Sequence, residues 1–389
     1  MRILYFTRDY TSHDYRFLDA LSKTEHKLFY LQLEKRGHAL ENRMLPEGIE
    51  NIDWAGGQKP VAFRDGAKLF IQLKRVIEKI RPDLIHAGPI QRSAFLVALT
   101  GFQPLVSMSW GYDLLQDANQ NQYWRWATRY TLKRSAAFIG DCNTIRQIAN
   151  SYGMPDNRIV TFPWGIDLKH FSTSSKKHPF SEDYIKPKEE TNQTKKKFIL
   201  LSTRNWEPIY GVEVIVRAFV KAFQSYPHLH LIMLGNGSQA ELVQDILRQA
   251  SISFERGPFK SHSSKSPVVF PGQITYDELP HYYRFADLYI AATHSDGTSI
   301  SLLEAMACGL PVLVSDIPGN REWVNPGENG WLFPDGNSDI LASRIIQAVE
   351  QQQHLSKMGK NARNIAEQRA DWDKNFPNLL RAYDSAIGH

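Results

Sequence analysis

Residues 294–312, HSDGTSISLLEAMACGLPV, place a polar loop directly before an apolar helix that carries one glutamate, Glu304. On a helix that begins near Ser299, the residues three and four positions from Glu304 are all uncharged. A carboxylate buried in such surroundings needs hydrogen-bond partners. Two interpretations fit. Glu304 bonds to backbone or to an arginine in the core, or it accepts hydrogen bonds from ligand hydroxyls, each contributing roughly 1.5–3 kcal/mol.

The start of the same helix favours the ligand interpretation. Gly297, Thr298 and Ser299 combine a permissive backbone with small side chains that can cap the first turn. The N–H groups of that turn and the positive end of the helix dipole form a site for phosphate. Arg204 follows a neighbouring predicted strand and would add bidentate charge to the same phosphate. Together these features indicate a nucleotide-sugar diphosphate.

Short apolar segments alternate with amphipathic helices along the chain and would position these residues. The strand candidates are 3–7, 27–33, 83–87, 104–110, 137–141 and 159–165 in the first half, and 197–203, 229–235, 268–272, 288–293, 311–316 and 331–334 in the second. Helical periodicity is clearest in 67–80 and 212–226. Apolar strands that alternate with helices are typical of parallel sheets covered on both faces. The sequence predicts an α/β protein with two doubly wound domains.

A lysine-rich stretch divides the two halves. Residues 172–197 contain too little apolar surface to offset the entropy of ordering, so we predict a linker or mobile insertion there. The expected domains are then 1–171 and 198–372, followed by a helical segment at 373–389.

The bulk composition indicates a folded chain in a reducing compartment. Of 389 residues, 42% are hydrophobic and 22% charged, as in ordinary globular proteins. No apolar run approaches the ~20 residues that span a bilayer, and the N-terminus does not resemble a signal peptide. Two cysteines exclude a disulfide framework, so we expect a cytoplasmic protein. The net charge of +5 permits an acidic ligand or an anionic surface but does not demand nucleic acid.

The motifs resemble those of the retaining family 4 glycosyltransferases, which have the GT-B fold. Residues 296–312 are similar to the family signature E-x7-E followed by AMAxGxPV, and the similarity extends to 162–167, 282–292, 312–324 and 328–336. The resemblance implies two Rossmann-like domains, with the donor nucleotide in the C-terminal one and the acceptor in the N-terminal one. It also implies a final helix that crosses back to the N-terminal domain, and no metal or other cofactor.

The resemblance also assigns roles to individual residues. Glu304 takes the position of the ribose-binding glutamate, and Asp296 that of the glutamate that meets the donor sugar. Arg204 would contact the diphosphate. The other implied donor-binding residues are Asn205, Gln273, Ile274, Gly297, Thr298, Ser299 and Ile300.

Several positions depart from the family pattern. Asp296 is one methylene shorter than glutamate, and Tyr210 stands where a second phosphate-binding cation is usual. In the first half, Trp110 and Asp113 lie in a segment that replaces a His-Gly-x-Asp sequence. His13 and Asp14 lie where a glycine-rich loop is usual. We take His13, Asp14, Trp110 and Asp113 as candidates for the acceptor side.

The resemblance implies transfer of a sugar, with retention, from a nucleotide-diphosphate donor such as a UDP-sugar to a sugar, lipid-linked or small-molecule acceptor. An epimerase of the same fold and a catalytically silent nucleotide-sugar-binding subunit are the alternatives. Segment 123–134, YWRWATRYTLKR, places tryptophans beside basic residues and suits peripheral contact with an anionic membrane. Its alternative is a helix that packs its aromatic residues on the sheet.

Overall fold

The computed structural model describes residues 1–35, 41, 43–173, 197–258 and 266–388. Their contacts form two compact units, Met1–Pro163 with Lys374–His389, and Trp164–Asp373. Each unit contains, within those residues, one sheet of seven strands in parallel pairing. The prediction of two Rossmann-like, doubly wound parallel-sheet domains is therefore confirmed.

The strands of the first unit are β1 Arg2–Thr7, β2 Lys27–Gln32, β3 Ile49–Asn51, β4 Leu84–Ala87, β5 Leu105–Met108, β6 Ala137–Gly140 and β7 Ile159–Thr161. Those of the second are β8 Phe198–Ser202, β9 Leu229–Leu234, β10 Phe254–Arg256, β11 Val268–Gly272, β12 Leu288–Ala291, β13 Val312–Ser315 and β14 Gly330–Phe333. The spatial orders are β3-β2-β1-β4-β5-β6-β7 and β10-β11-β9-β8-β12-β13-β14.

The helices of the first half are α1 Ser12–Ser22, α2 Gly66–Ile80, α3 Phe95–Thr100, α4 Tyr112–Leu115, α5 Gln122–Arg134 and α6 Asn143–Ser151. They are followed by α7 Val212–Ser225, α8 Ala240–Gln249, α9 Leu279–Phe285, α10 Ile300–Ala307, α11 Pro318–Arg321, α12 Ser338–Glu350, α13 Gln352–Arg369, α14 Trp372–Asn375 and α15 Pro377–Ile387. Single 3₁₀ turns lie at Phe63–Asp65, Asp117–Asn119, Asp156–Arg158 and Pro208–Tyr210, and a π-helical turn at Ile90–Ala94.

The apolar runs form the central strands because both faces of each sheet are covered. Strands β4, β5, β6 and β12 are buried along their whole length. Helix α2 follows its predicted period and turns Leu69, Leu73, Val76 and Ile80 inward. None of the helices in the described ranges is long and apolar enough to cross a membrane.

The strand order reverses once in each sheet. In the first sheet β1 lies between β2 and β4, and in the second β8 lies between β9 and β12. Chain connections leave in opposite directions from these central strands, which opens a crevice at their carboxyl ends. Ligands are expected at those two places, after β1 and β4 and after β8 and β12.

The division between the units falls after Pro163, not after residue 171 as expected. The N–H of Ile166 donates to the Ala370 carbonyl at 2.8 Å, and Phe171 is buried in the second unit's core. These contacts group the intervening segment with the second unit. The predicted linker at 172–197 lies almost entirely outside the described residues. Helix α15 packs on β5, β6 and β7 of the first unit.

Candidate functional site

Arg204 lies two residues beyond the carboxyl end of β8, at the strand-order reversal of the second sheet. Its Nη2 donates to the Asp296 carboxylate at 2.8 Å, so the two residues form a largely buried ion pair. Its Nη1 donates to the hydroxyls of Ser299 at 3.0 Å and Ser301 at 3.2 Å. The Tyr210 ring covers the guanidinium, 4.1 Å from Cζ. The structure therefore brings Arg204 and Asp296 together, as one pair.

The Arg204 guanidinium keeps its charge despite burial. Burial by itself lowers the pKa of Arg204, but the negative charge of Asp296 and the neighbouring tyrosines outweigh it and raise the pKa. The site thus contains a permanent cation with a fixed orientation, which suits an anionic group with several oxygen atoms.

Glu304 lies on the buried side of α10 with only 6% of its surface exposed. Its Oε2 accepts a hydrogen bond from the Tyr283 hydroxyl at 2.9 Å, and that hydroxyl lies 3.1 Å from Thr203 Oγ1. Burial, followed by the Glu304 charge, raises the pKa of Tyr283 well above its usual value, so Tyr283 remains a donor. Tyr283 is therefore one protein partner of Glu304, and the contact of Glu304 with a ligand stays a prediction.

Two short hydrogen-bond chains link the neighbourhoods of Asp296 and Glu304. Asp296, Arg204, Ser301 and Tyr289 form the first, in which the Tyr289 hydroxyl donates to Ser301 Oγ at 2.9 Å. Thr203, Tyr283 and Glu304 form the second. The ring centroids of Tyr283 and Tyr289 are 6.0 Å apart, so the two acids of the sequence motif lie in adjoining parts of one preorganised region. Tyr283 and Tyr289 were not predicted, although buried tyrosines usually need a hydroxyl partner.

The predicted cap at the start of α10 is wrong. Ser299 occupies the N-cap position with extended backbone, but its side chain makes no cap hydrogen bond. Its hydroxyl is bonded to Arg204 Nη1, which sequence proximity does not reveal. The Ser299 side chain therefore does not occupy the backbone N–H groups of this turn, and the start of a helix suits an anion. Thr298 and Ser299 are buried beside the turn, and Ile300 is half-buried.

The remaining candidates of the donor side lie at the same edge of the second sheet. Asn205 is exposed, and its side chain lies near Gly235, at the end of β9. The Gly235 N–H donates to the Gly272 carbonyl at 2.8 Å, which joins the ends of β9 and β11. Gln273 is exposed and Ile274 half-buried just beyond that junction. These residues follow β8, β9 and β11, which are adjacent strands of the second sheet. Their contact with the nucleobase of a donor stays a prediction.

Two acids predicted for the acceptor side are internal and have structural roles. Asp14 is fully buried in a capping box with Thr11 and accepts from the Tyr5 hydroxyl at 3.1 Å. Asp113 is fully buried and accepts from the Ser109 hydroxyl at 2.6 Å and the Ile90 N–H at 2.9 Å. Burial raises the pKa of each carboxyl group to about 6, although their hydrogen bonds oppose the shift. Both carboxylates are bonded to protein groups, and a role for either on the acceptor side stays a prediction.

His13 and Trp110 stay half-buried neighbours at the carboxyl edge of the first sheet. Their ring centroids are 5.6 Å apart. They therefore lie together near the reversal between β1 and β4, and a role in acceptor binding stays a prediction.

Two family models match the chain. The model of group 1 glycosyl transferases matches residues 183–365, and that of glycosyltransferase family 4 matches residues 13–170. Among curated relatives, the chain is 27% identical over 233 residues to the phosphatidyl-myo-inositol mannosyltransferase of Mycobacterium tuberculosis, covering 59% of this chain and 54% of the relative. It is 26% identical over 186 residues to the GtfA subunit of a Streptococcus pneumoniae UDP-N-acetylglucosamine–peptide N-acetylglucosaminyltransferase, covering 46% and 34%. The chain thus spans about half or less of these relatives' lengths.

Solved structures share the fold over the whole chain. Sucrose-phosphate synthase from Thermosynechococcus elongatus aligns with a TM-score of 0.78 at 16% identity, covering 100% of both chains. Anabaena HepE in complex with UDP aligns with a TM-score of 0.75 at 18% identity, covering 99% of this chain and 100% of the other.

Proposed function

The chain belongs to the glycosyltransferases of the GT-B fold, and from that premise we propose that it transfers a sugar from a UDP-sugar to an acceptor with retention of anomeric configuration. The site that contains the Asp296–Arg204 pair and the Glu304–Tyr283 hydrogen bond carries this proposal. It lies where the strand order of the second sheet reverses, which is where a doubly wound sheet binds nucleotides. The UDP bound by the similar Anabaena HepE supports the choice of nucleotide.

Each part of the site has a chemical task in this proposal. Glu304 accepts hydrogen bonds from the ribose hydroxyls, and Asp296 accepts from the donor sugar. Arg204 and the first turn of α10 stabilise the charge that develops on the leaving diphosphate. The leaving phosphate takes the acceptor proton, so no separate carboxylate base is required. Asp296 also holds the guanidinium in place, which couples sugar position to phosphate position.

We also propose that transfer needs no metal ion. Arg204 and the start of α10 supply the positive charge that a divalent cation would otherwise place at the diphosphate. The activity should therefore survive treatment with a chelator.

A panel of nucleotides and nucleotide sugars tests the donor assignment. Ligands that bind the folded state raise the melting temperature, and UDP and a UDP-sugar should give the largest shifts. Product analysis by NMR then establishes the anomeric configuration. An epimerase would convert the donor sugar without an acceptor, and a silent subunit would bind UDP with neither transfer nor donor hydrolysis. Either result would refute the proposed activity.

We propose a peripheral membrane contact through α5, in a protein that remains in the reducing cytoplasm. Tyr123 and Trp126 are 46% and 49% exposed, so packing within the protein leaves about half of each residue accessible. Arg125, Arg129 and Lys133 are exposed on the same helix. Exposed tryptophan among cations suits an anionic interface, and a lipid-linked acceptor would lie there. The two cysteines are buried and form no disulfide, as is usual in a reducing compartment.

Sedimentation with vesicles tests the membrane contact. Vesicles that contain anionic phospholipid should sediment the protein at low salt, and vesicles of phosphatidylcholine alone should not. Replacing Arg125, Arg129 and Lys133 by glutamine should abolish sedimentation. The control replaces exposed Arg217, Lys357 and Lys360, which changes the net charge equally in the second unit. No binding, or equal loss in both variants, would remove the hypothesis.

A further inference from the structure

The first sheet also presents arginine at the point where its strand order reverses. Arg8 follows β1 directly, and Arg92 lies in the π-helical turn Ile90–Ala94 beyond β4. Two hydrogen bonds brace that turn. The Ile90 N–H donates to the Asp113 carboxylate at 2.9 Å, and Gln91 Nε2 donates to the Asp113 carbonyl at 2.8 Å. The buried Asp113 thus orients the turn that carries Arg92 into the crevice region of this sheet.

The Nε atom of the Arg92 guanidinium is buried and has no hydrogen-bond partner within the described ranges. The Cζ atom lies over the Trp124 ring, 4.7 Å from its centre, so the ring supports one face of the group. Buried polar groups are nearly always hydrogen-bonded, so an unpaired buried donor indicates a missing partner. A guanidinium with a buried, unpaired Nε–H matches a ligand that has two acceptor oxygens.

The neighbouring charged groups have other partners. Arg8 Nε is paired with Glu34 at 2.5 Å, and the second Glu34 oxygen accepts from the Val61 N–H at 2.9 Å. Asp117 Oδ1 accepts from Gln120 Nε2 at 2.6 Å.

Asp9 Oδ1 likewise accepts hydrogen bonds from the Tyr10 N–H and from Gln32 Nε2, both at 2.8 Å. No ion pair joins Arg92 to any of the described carboxylates. Burial, and then the charge of Arg8, lowers the pKa of Arg92, and the charges of Glu34 and Asp117 oppose this shift only in part. A bound anion would oppose it further.

We propose that the acceptor carries a carboxylate or phosphate group and that Arg92, stacked on Trp124, binds it through a bidentate hydrogen bond. This inference rests on the proposed glycosyl transfer and adds the chemical class of the acceptor. A uronic acid would supply the carboxylate, and a phosphorylated or phospholipid-linked sugar would supply the phosphate.

Ligand-observed NMR titration of the full chain, with UDP present at saturation, tests the proposal. UDP occupies the donor side, so added anions report on other sites. Glucuronate is compared with glucose, and glycerol 1-phosphate with glycerol, which separates the carboxylate source from the phosphate source. At least one anion should bind about tenfold or more tightly than its neutral counterpart, as a charged hydrogen bond predicts.

Variants connect that preference to Arg92. Arg92→Gln should abolish the preference for the anion. Arg92→Lys should retain part of that preference, because lysine keeps the charge but cannot donate two parallel hydrogen bonds. Exposed Arg75→Gln in α2 is the matched control and should retain the full preference. No preference for either anion, or an undiminished preference in a folded Arg92→Gln protein, overturns the inference. UDP affinity should be equal in all variants, whereas absence of UDP binding in the unchanged chain would refute the donor assignment separately.

Discussion

The Arg204 guanidinium has protein partners for both terminal nitrogen atoms and an aromatic ring on its face, so the protein sets its orientation. Preorganised charge of this kind stabilises a transition state without the cost of reorienting at the moment of reaction. The Tyr210 ring lies 4.1 Å from the Arg204 Cζ atom and helps to hold the guanidinium in this orientation. In the proposed reaction, the site therefore depends strongly on Arg204.

Arg204→Lys should lower kcat with the best donor by about a hundredfold, the order expected for losing one preorganised donor to a developing anion. An ammonium group cannot bond Asp296 and both serines in the fork geometry that the guanidinium uses. Exposed Arg217→Lys in α7 is the matched control and should leave kcat unchanged. Steady-state kinetics of the two variants provide the measurement, and a kcat within twofold of the parent would contradict the assigned role.

Local sequence pattern located Glu304 and Arg204 but not their partners. Glu304 was recognisable because it interrupts an apolar helix, and Arg204 because it follows a buried strand. Tyr283 reaches Glu304 from 21 residues away, and Thr203 bonds to Tyr283 across 80 residues, so only the fold brings these residues together. The burial of Asp14 and Asp113 was not apparent from the sequence either, because Asp14 is bonded to Tyr5 on β1 and Asp113 to the Ile90 N–H, 23 residues away.

Helix α10 and the loop before it are positioned by backbone packing as well as by side chains. Gly319 in α11 lies so close to this loop that a Cβ atom there would be 2.0 Å from the Gly297 carbonyl oxygen and 2.6 Å from that of Asp296. Both contacts are with backbone, which cannot rotate away. The close approach therefore fixes the loop that carries Asp296 and the start of α10.

Gly319→Ala should displace this loop and weaken UDP binding by about tenfold or more while lowering the melting temperature by several degrees. Gly66→Ala at the start of α2 is the control, because no atom lies within 4 Å of a Cβ there and its φ is not positive. It should leave both quantities nearly unchanged. Calorimetric titration with UDP and thermal unfolding provide the test, and parent-like affinity in Gly319→Ala would show that the packing does not position the site.

The central elements of the fold were predictable because their apolar periodicity is long and uniform. The strands β3 and β10 were missed because each has three residues, lies at a sheet edge and contains no fully buried residue. Strand β7 was predicted to run to residue 165 but ends at Thr161, before Pro163, where the chain leaves the first unit. Proline has no N–H to donate to a neighbouring strand, so the apolar residues beyond Pro163 did not indicate strand pairing.

At the scale of the whole chain, a hydrogen bond joins the first half of the sequence to its last helix. His86 on β4 is buried, and its Nδ1 lies 2.6 Å from the hydroxyl of Tyr383 on α15. Burial lowers the pKa of His86 to about 3. Because this value lies below that of the unfolded chain, about 6.5, the neutral histidine stabilises the fold fully above pH 6.5 and loses that contribution as the pH falls.

When the pH falls from 7 to 5, protonation of His86 in the unfolded chain should lower the free energy of unfolding by about 2 kcal/mol. His86→Gln removes the titration while it keeps a group that can bond Tyr383, so the variant should lose that much less stability over the same interval. Exposed His354→Gln serves as the control and should follow the parent. Urea unfolding at both pH values measures the difference. If the parent and His86→Gln lose equal stability, the buried neutral histidine is not the cause.

The most direct measurement of the donor site is calorimetric titration of UDP into the full chain and two acidic-residue variants. The parent should bind UDP, and Glu304→Ala should bind it about tenfold or more weakly, because a charged acceptor of the ribose hydroxyls is lost. Exposed Glu241→Ala in α8 should bind as the parent does, and thermal unfolding confirms that each variant is folded. Undiminished UDP affinity in folded Glu304→Ala, or no UDP binding by the parent, would contradict the account.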